Sequence, residues 1–186
     1  MIMKRLFVLM FLLLSLFKGV AISQSSKCIY EEDYMDEFTG SKIVSTEWKR
    51  CITNEDWFLG MAFKYRKVIN KDLTSYIKLQ FSVSSSSGKS LLMLRDSKML
   101  WKTETDSVLT FEILEAVSTE FSTSSGITSA TVSPEFLISE DTLEYLLLNK
   151  IVKIRVYTEE GYLEGIVGDK QAKRIIESSK CILNEN

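Results

Sequence analysis

The segment CIYEEDYMDEFTGSKIVSTEWKRC, residues 28–51, has a cysteine at each end and a Thr-Gly pair near its middle. Gly40 can adopt a positive φ angle, so Thr39 and Gly40 favour a two-residue hairpin loop. In that register the numbers of facing residues add up to 79, which places Cys28 opposite Cys51. Facing strand residues have Cα atoms about 4.5–5.5 Å apart, a separation that a disulfide tolerates. The sequence therefore predicts a long β-hairpin with a Cys28–Cys51 disulfide.

A third cysteine keeps other pairings open. Cys181 lies in or just after the last predicted helix, and one bulged residue in the hairpin would change its register. Three cysteines in an exported chain are typical of one disulfide and one free thiol. We favour Cys28–Cys51 as the disulfide and assign no role to Cys181.

The same segment is acidic, with five carboxylates in seven positions: Glu31, Glu32, Asp33, Asp36 and Glu37. In an extended strand these side chains alternate between two faces, whereas a calcium loop needs oxygens that converge on one point. We therefore interpret the acids as a solvated strand face. A calcium-binding module stays an alternative, because the predicted register places Glu32 opposite Glu47, a repulsive pair that a cation could relieve.

Residues 1–23 have the pattern of a secretory signal peptide. Lys4 and Arg5 precede an apolar run over residues 6–17, and an Ala-Ile-Ser segment at residues 21–23 suits cleavage. The apolar run is shorter than the about 20 residues that a membrane-spanning helix needs. We expect cleavage, export to the periplasm or the extracellular space, and no stable membrane span afterwards. An uncleaved anchor and a lipoprotein are the alternatives.

The expected mature chain, residues 24–186, has a length typical of one domain. Cleavage would remove three basic residues and no acidic one, which leaves 20 basic and 25 acidic residues and a net charge of −5. An acidic exported domain is a poor candidate for binding nucleic acid, because the phosphate backbone is also negatively charged. The chain has no histidine, which removes the commonest general base and the commonest zinc ligand. We expect no nucleic-acid partner, no metal centre and no cofactor.

Alternation of apolar and polar residues predicts strands over much of this domain. It is clearest at residues 76–83 and 58–69, which Asn70-Lys71-Asp72 would join as a turn. Further strands are expected in a hairpin of residues 91–94 with 99–102, and over residues 108–121. The serine- and threonine-rich residues 122–133 predict a mobile loop or a polar edge.

The last third of the chain predicts helices as well as strands. Ser139 suits the N-cap of a helix that ends at Asn149, and strands are expected over residues 151–157 and 162–167. Asp169 suits the cap of a final helix with one apolar face formed by Ala172, Ile175, Ile176 and Ser179. The sequence thus predicts an α+β fold that is mostly antiparallel sheet, with a helix between late strands and a C-terminal helix packed on the sheet.

Two motifs resemble catalytic ones incompletely. Residues 84–90 end in Gly-Lys-Ser like a phosphate-binding loop, but Val83 stands where that loop needs glycine. Ser86 and Lys89 match Ser-x-x-Lys, yet the partner motifs of the penicillin-recognising enzymes are missing. A hydrolase that uses this Ser-Lys pair or two carboxylates is an alternative function, although we expect no enzyme.

The tryptophans are candidates for stacking on a sugar or anchoring a protein, although core packing is their ordinary role. Trp57 follows Asn-Glu-Asp and precedes Phe58, which suggests an exposed aromatic pair. We therefore predict Trp57, Phe58 and Trp101 as binding residues.

Two segments carry a family resemblance. Asp-Glu-Phe-Thr-Gly at residues 36–40 with Ser-Thr-Glu-Trp at residues 45–48, and Lys-Ile-Arg-Val-Tyr-Thr at residues 153–158 with Gly-Tyr at residues 161–162, resemble an uncharacterised family of small exported bacterial proteins. The resemblance implies export and a single domain, and it implies no chemistry. The absence of histidine, of a complete catalytic motif and of metal-ligand spacing leads us to expect a non-catalytic cell-envelope module that binds a protein or a glycan.

Overall fold

The computed structural model describes residues 28–53, 59–86, 91–124 and 126–185. Its first strands are β1 (Tyr30–Met35), β2 (Lys42–Thr46), β3 (Lys49–Thr53), β4 (Leu59–Ile69), β5 (Ser75–Ser85) and β6 (Lys98–Thr103). The next are β7 (Val108–Glu112), β8 (Glu120–Ser124), β9 (Ile127–Val132) and β10 (Glu135–Ile138). The chain ends with α1 (Glu140–Leu148), β11 (Ile151–Thr158), β12 (Gly161–Ile166) and α2 (Asp169–Leu183). The predicted signal peptide lies outside the described residues.

The strands form two antiparallel sheets. The larger sheet has the order β1-β2-β4-β5-β9-β8, with β3 also paired to β4 and β10 also paired to β5. The smaller sheet has the order β12-β11-β6-β7. α2 packs on β2, β3 and β4 and contacts α1. This arrangement confirms the predicted α+β class, with one helix between late strands and a C-terminal helix on the sheet.

The β4–β5 hairpin forms the centre of the larger sheet. Its pairing runs from Leu59 opposite Ser85 to Ile69 opposite Ser75, and the predicted alternation holds throughout. Side chains at every second position are buried on the inner face, including those of Phe63, Tyr65, Leu79 and Phe81. The turn after β4 lies where the sequence predicts it.

Trp101 of β6 joins the two sheets. Its ring centroid lies 6.3 Å from that of Phe63 and 6.4 Å from that of Phe81 on the larger sheet, and 5.2 Å from that of Phe111 beside it. Trp101 is 0% exposed, so the prediction of a binding role for it is wrong. Its alternating position in β6 turns the indole into the core.

The first hairpin differs from the predicted one. Asp33 faces Val44 and Glu32 faces Ser45, so the facing numbers add up to 77 rather than 79, and a bulge follows near Tyr30. The loop spans residues 36–41, which is longer than the two residues expected. Beyond Thr46 the chain starts a separate strand, β3, which pairs with β4 and not with β1.

The disulfide consequently differs as well. Cys28 is bonded to Cys181 of α2, with Cα atoms 5.6 Å apart, so the predicted Cys28–Cys51 pairing is wrong. Cys51 lies at a register shift of β3 as a buried free thiol. Its Sγ donates to the carbonyl oxygen of Met61 at 3.3 Å. Because the loop is longer than predicted and Cys51 lies in the separate strand β3, Cys51 is not opposite Cys28 of the β1 arm.

Polar contacts hold the end of α2 close to the disulfide. The Tyr30 hydroxyl donates to the carbonyl oxygen of Cys181 at 3.2 Å, and Lys42 forms a 3.0 Å ion pair with Glu185. Lys67, only 4% exposed, donates to the carbonyl oxygen of Glu185 at 2.7 Å. It also pairs with the carboxylate of Glu140 at 3.0 Å. These contacts and the disulfide, which we call the C-terminal clamp, join α2 to β1, β2, β4 and α1.

The remaining hairpins were partly predicted. Residues 122–133 form most of the β8–β9 hairpin, so the polar-edge alternative is confirmed. The predicted hairpin of residues 91–94 with 99–102 is wrong, because β6 pairs instead with β7 and β11. The chain reverses at residues 104–107, where the N–H of Thr103 donates to the carbonyl of Ser107 at 2.9 Å.

The helix caps follow the sequence at one helix and not at the other. The Ser139 side chain caps α1 by accepting the N–H of Thr142 at 3.1 Å, as predicted. The N-cap of α2 is Gly168, so Asp169 is its first residue rather than its cap; the Asp169 carboxylate pairs with Lys150 instead. Within the described residues, neither helix has the length and apolarity that crossing a bilayer requires.

The first prediction concerns the disulfide. Replacing both Cys28 and Cys181 with serine removes a crosslink between residues 153 positions apart, which lowers the free energy of unfolding by up to about 5 kcal/mol in the chain-entropy model. Urea unfolding measures the loss. Cys51→Ala is the matched control and costs about 1–2 kcal/mol. A non-reduced peptide map that links Cys51 to either partner would contradict the structure.

The second prediction concerns the free thiol. Burial raises the pKa of Cys51 to about 12, so at pH 8 only roughly one molecule in ten thousand carries the reactive thiolate. We expect the native protein to resist an alkylating reagent, and one thiol to react rapidly after unfolding in guanidinium. Rapid alkylation of the native protein at Cys51 would show that the thiol is accessible to solvent and that β3 does not bury it.

Candidate binding surface

Of the three binding residues predicted from sequence, one lies within the described residues. Trp57 and Phe58 lie outside the described residues, and Trp101 is in the core. Trp48 is 40% exposed, and the Nζ atom of Lys64 lies 5.3 Å from its ring centroid. Cation–π pairing therefore accounts for the position of this indole.

Three of the five acids lie in the edge strand β1, and basic side chains of β4 pair with two of them. Glu31 pairs with Lys64 at 2.9 Å and Glu32 with Arg66 at 3.6 Å. The expected Glu32–Glu47 opposition is wrong, because Glu32 faces Ser45. Among the described residues, no three His, Cys, Asp or Glu side chains are grouped as a metal site would need. Lys89 of the Ser-x-x-Lys pair lies outside the described residues.

A row of apolar side chains crosses the outer face of the larger sheet, near the turns that join β1 to β2 and β4 to β5. Tyr34 faces Ile43, Ile43 faces Val68, and Val68 faces Tyr76. Four neighbouring strands place the two tyrosines roughly 14 Å apart. Tyr34 is 46% and Tyr76 is 42% exposed, whereas Ile43 is buried. Two accessible aromatic rings therefore flank an apolar floor.

A depression of about 330 Å³ lies over this floor. Its walls combine the apolar row with polar groups of the turns and with two basic side chains: Asp36, Thr39, Ser41, Ile43, Arg66, Val68, Asn70, Tyr76 and Lys78. A second depression, of about 520 Å³, runs beside β10 and includes Leu137 and Glu140. Tyr76 lines both depressions. This tyrosine is thus accessible from two sides.

The turn over residues 36–41 is held in one shape by Asp36. Its Oδ1 accepts the N–H of Phe38 at 2.9 Å and that of Thr39 at 3.1 Å. The N–H of Gly40 donates to the carbonyl of Asp36 at 2.7 Å, and the N–H of Asp36 donates to the carbonyl of Ser41 at 2.9 Å. Phe38 is 98% exposed on this turn. The turn fixes the backbone of an aromatic residue that buries almost no surface.

The neighbouring turn over residues 70–74 is fixed in a similar way. The N–H of Asn70 donates to the carbonyl of Thr74 at 2.8 Å, and the N–H of Leu73 donates to that of Asn70 at 2.9 Å. Asp72 Oδ1 accepts both the N–H and the hydroxyl of Thr74, at 3.1 and 2.6 Å. Leu73 has a φ angle of 64° and is 83% exposed.

The two turns are packed against each other. The Ser41 hydroxyl lies 3.3 Å from Oδ1 of Asn70. Gly40 has a φ angle of 64°, and a Cβ atom added to it would lie 1.8 Å from the Lys71 side chain. Only glycine therefore fits here without moving Lys71. Phe38 and Leu73 are consequently carried by one connected platform.

We call Tyr34, Phe38, Leu73 and Tyr76, together with the 330 Å³ depression, the end surface. Sequence reasoning placed none of these four residues in a site. The available signals were an aromatic residue inside a turn before Thr-Gly, and a leucine inside an Asn-Lys-Asp-Leu-Thr turn. Both positions ordinarily hold polar residues or glycine.

Two other surfaces are less open to a partner. On the smaller sheet, the Arg155 guanidinium covers the Tyr162 ring at 4.4 Å, and Glu164 pairs with both Arg155 and Lys153. These side chains already satisfy one another. A third depression, of about 240 Å³, lies beside the disulfide and includes Lys49, Arg174 and Glu177. Lys49 there pairs with Glu47 at 2.7 Å.

Comparison of the chain with protein-family models, with curated proteins and with solved structures gave no match. The resemblance of residues 36–48 and 153–162 to a family of small exported proteins therefore stays a prediction.

The third prediction concerns Asp36. Hydrogen bonds from the N–H groups of Thr39 and Phe38 hold the pKa of Asp36 below its ordinary value. A carboxyl with a depressed folded pKa stabilises the fold above the unfolded pKa, about 3.9, and this contribution is lost as the pH falls through the folded pKa. Carboxyl NMR should show Asp36 titrating below about 3.9.

Two variants separate the charge of Asp36 from its hydrogen bonds. Asp36→Asn keeps an oxygen acceptor and should remove this residue's share of the pH dependence of unfolding below about pH 4. Asp36→Ala should loosen the turn at every pH. An ordinary or raised pKa for Asp36 would show that the turn is not held as described.

Proposed function

We propose that this chain is an exported, non-catalytic module of the cell envelope that binds a protein or a glycan through the end surface. Support for export comes from the signal-like residues 1–23 and from the Cys28–Cys181 disulfide. Disulfides persist in oxidising compartments such as the periplasm and the extracellular space.

One observation carries the binding proposal, the concentration of exposed aromatic and aliphatic side chains at one end of the larger sheet. Tyr34, Phe38, Leu73 and Tyr76 are between 42% and 98% exposed, and a depression with polar walls lies beside them. Scattered exposed apolar residues are normal on a protein surface, whereas a cluster of them bordered by polar groups is typical of an interaction site. Rigid turns carry two of the four, which lowers the entropy cost of binding.

The composition of the depression suits either class of partner. Tyr76 offers a flat ring on which a sugar or an apolar side chain can pack, while Arg66, Lys78 and Asn70 offer hydrogen-bond donors. Each of the three depressions described above has one carboxylate residue in its walls, which is Asp36, Glu140 or Glu177. A two-carboxylate hydrolase needs a facing pair, so these walls favour binding over hydrolysis.

The fourth prediction tests the end surface with Tyr76→Ala. Loss of the ring should weaken binding to the native envelope fraction or to an oligosaccharide array at least about tenfold, as is typical of a central aromatic anchor. Tyr162→Ala is the matched control, because Tyr162 is an exposed tyrosine on the other sheet and its loss should leave binding unchanged.

Unfolding measurements on both variants separate loss of binding from loss of fold. We expect each to unfold within about 1 kcal/mol of the unmodified protein, as for other surface substitutions. Equal binding by Tyr76→Ala and the unmodified protein would remove the end surface as the site.

A further inference from the structure

Two residues of the end surface are hard to explain by folding alone. Phe38 is 98% and Leu73 is 83% exposed, so neither contributes appreciably to the hydrophobic core. Both lie in turns at the same end of the larger sheet, and those turns are hydrogen-bonded and packed together through Ser41, Asn70, Gly40 and Lys71. The fold therefore presents two apolar side chains to solvent from one rigid support.

Leu73 is unfavourable in two independent ways. Its φ angle of 64° lies in the left-handed region, which glycine and asparagine adopt easily and a leucine side chain does not. Its apolar surface also stays in contact with water. An asparagine or a glycine at this position would serve the turn better. The fold alone does not account for a leucine here, and strained residues tend to occur at functional sites.

The charges of the two turns indicate what surrounds that contact. Residues 36–41 and 70–74 contain three acids, Asp36, Glu37 and Asp72, and one base, Lys71, which gives a net charge of −2. The neighbouring strand β1 adds Asp33; its two other acids are paired with basic side chains of β4. An anionic membrane surface would repel this end of the molecule. A basic protein surface would attract it and would speed its association.

We propose that the end surface docks on a protein, and that Phe38 and Leu73 enter an apolar pocket of that partner whose rim is basic. This inference rests on the proposed function and narrows its partner class from protein or glycan to protein. The two turns and Tyr76 then supply the anchors of the contact, and Tyr34 lies beside them. In protein interfaces a few anchor residues supply most of the binding energy. Phe38 and Leu73, each held by a fixed turn, would be such anchors.

The fifth prediction is that Leu73→Asn improves the turn and impairs binding. Asparagine tolerates the left-handed conformation, so the urea midpoint should stay equal or rise. Binding to the partner in the envelope fraction should fall at least about tenfold. Leu148→Asn is the matched control, because Leu148 is 84% exposed at the end of α1 and its replacement should leave binding unchanged.

A photo-crosslinking amino acid identifies what Phe38 touches. With p-benzoylphenylalanine in place of Phe38, irradiation in the native envelope fraction should yield one discrete crosslinked protein. Its yield should fall in the Leu73→Asn background and at high salt, since screening weakens attraction to a basic rim, and should be unchanged in the Leu148→Asn background. An equal yield with and without Leu73 would overturn the proposal.

Two further arms separate this inference from the proposed function. If Tyr76→Ala abolishes binding while Phe38→Ser and Leu73→Asn do not, the inference fails and the end surface still binds a partner by other residues. If the unmodified protein binds neither envelope proteins nor oligosaccharides, the proposed function fails. Co-sedimentation with phosphatidylglycerol–phosphatidylethanolamine vesicles that depends on Phe38 would show a lipid surface as the partner and would also overturn the inference.

Discussion

The C-terminal clamp is the constraint on which the rest of this structure depends. Cys28, just before the edge strand β1, is bonded to Cys181 near the end of α2. Tyr30, Lys42 and Lys67 then bind the last residues of the chain. Every described strand lies between these two cysteines in sequence. The crosslink therefore restricts the unfolded chain much more than a local hairpin staple would, and it holds α2 over Tyr65, whose hydroxyl accepts from Ser179 at 3.2 Å.

The clamp also determines how the edge of the larger sheet is protected. β1 is an edge strand with exposed carboxylates, and charge on an edge discourages pairing with other chains. Glu31 and Glu32 reach Lys64 and Arg66 on the outer face, while Tyr30 faces inward and bonds to α2. The acids of β1, for which calcium binding was an alternative, thus protect the edge of the sheet and attach β1 to β4. The inner side of β1 is thus tied to α2 and its outer face to β4.

Much of the fold followed from local sequence signals, and the parts that did not follow depended on loop length and on which strands pair with each other. The period-2 alternation of β4 and β5 and the Ser139 cap require only neighbouring residues, so they were predictable. The disulfide required a correct turn length, a correct register and knowledge that the chain starts a new strand at Lys49. The facing numbers add up to 77 instead of 79, and Cys51 lies in a separate strand that pairs with β4, so the arithmetic that joined Cys28 to Cys51 failed. Trp101 illustrates the same limit, because its burial depends on which sheet covers β6.

The candidate site was hidden from sequence reasoning for a different physical reason. Pattern analysis finds residues that stabilise a fold, whereas Phe38 and Leu73 stand out because they do not stabilise this one. Their exposure becomes informative only once Asp36, Asp72 and Gly40 are seen to hold both turns rigidly. A mobile turn could bury an apolar side chain part of the time, but a fixed turn keeps it in water until a partner covers it. Because hydrogen bonds hold both turns, the exposure of Phe38 and Leu73 is a fixed feature of the fold. For this reason we infer recognition from these two residues and not from other exposed apolar side chains.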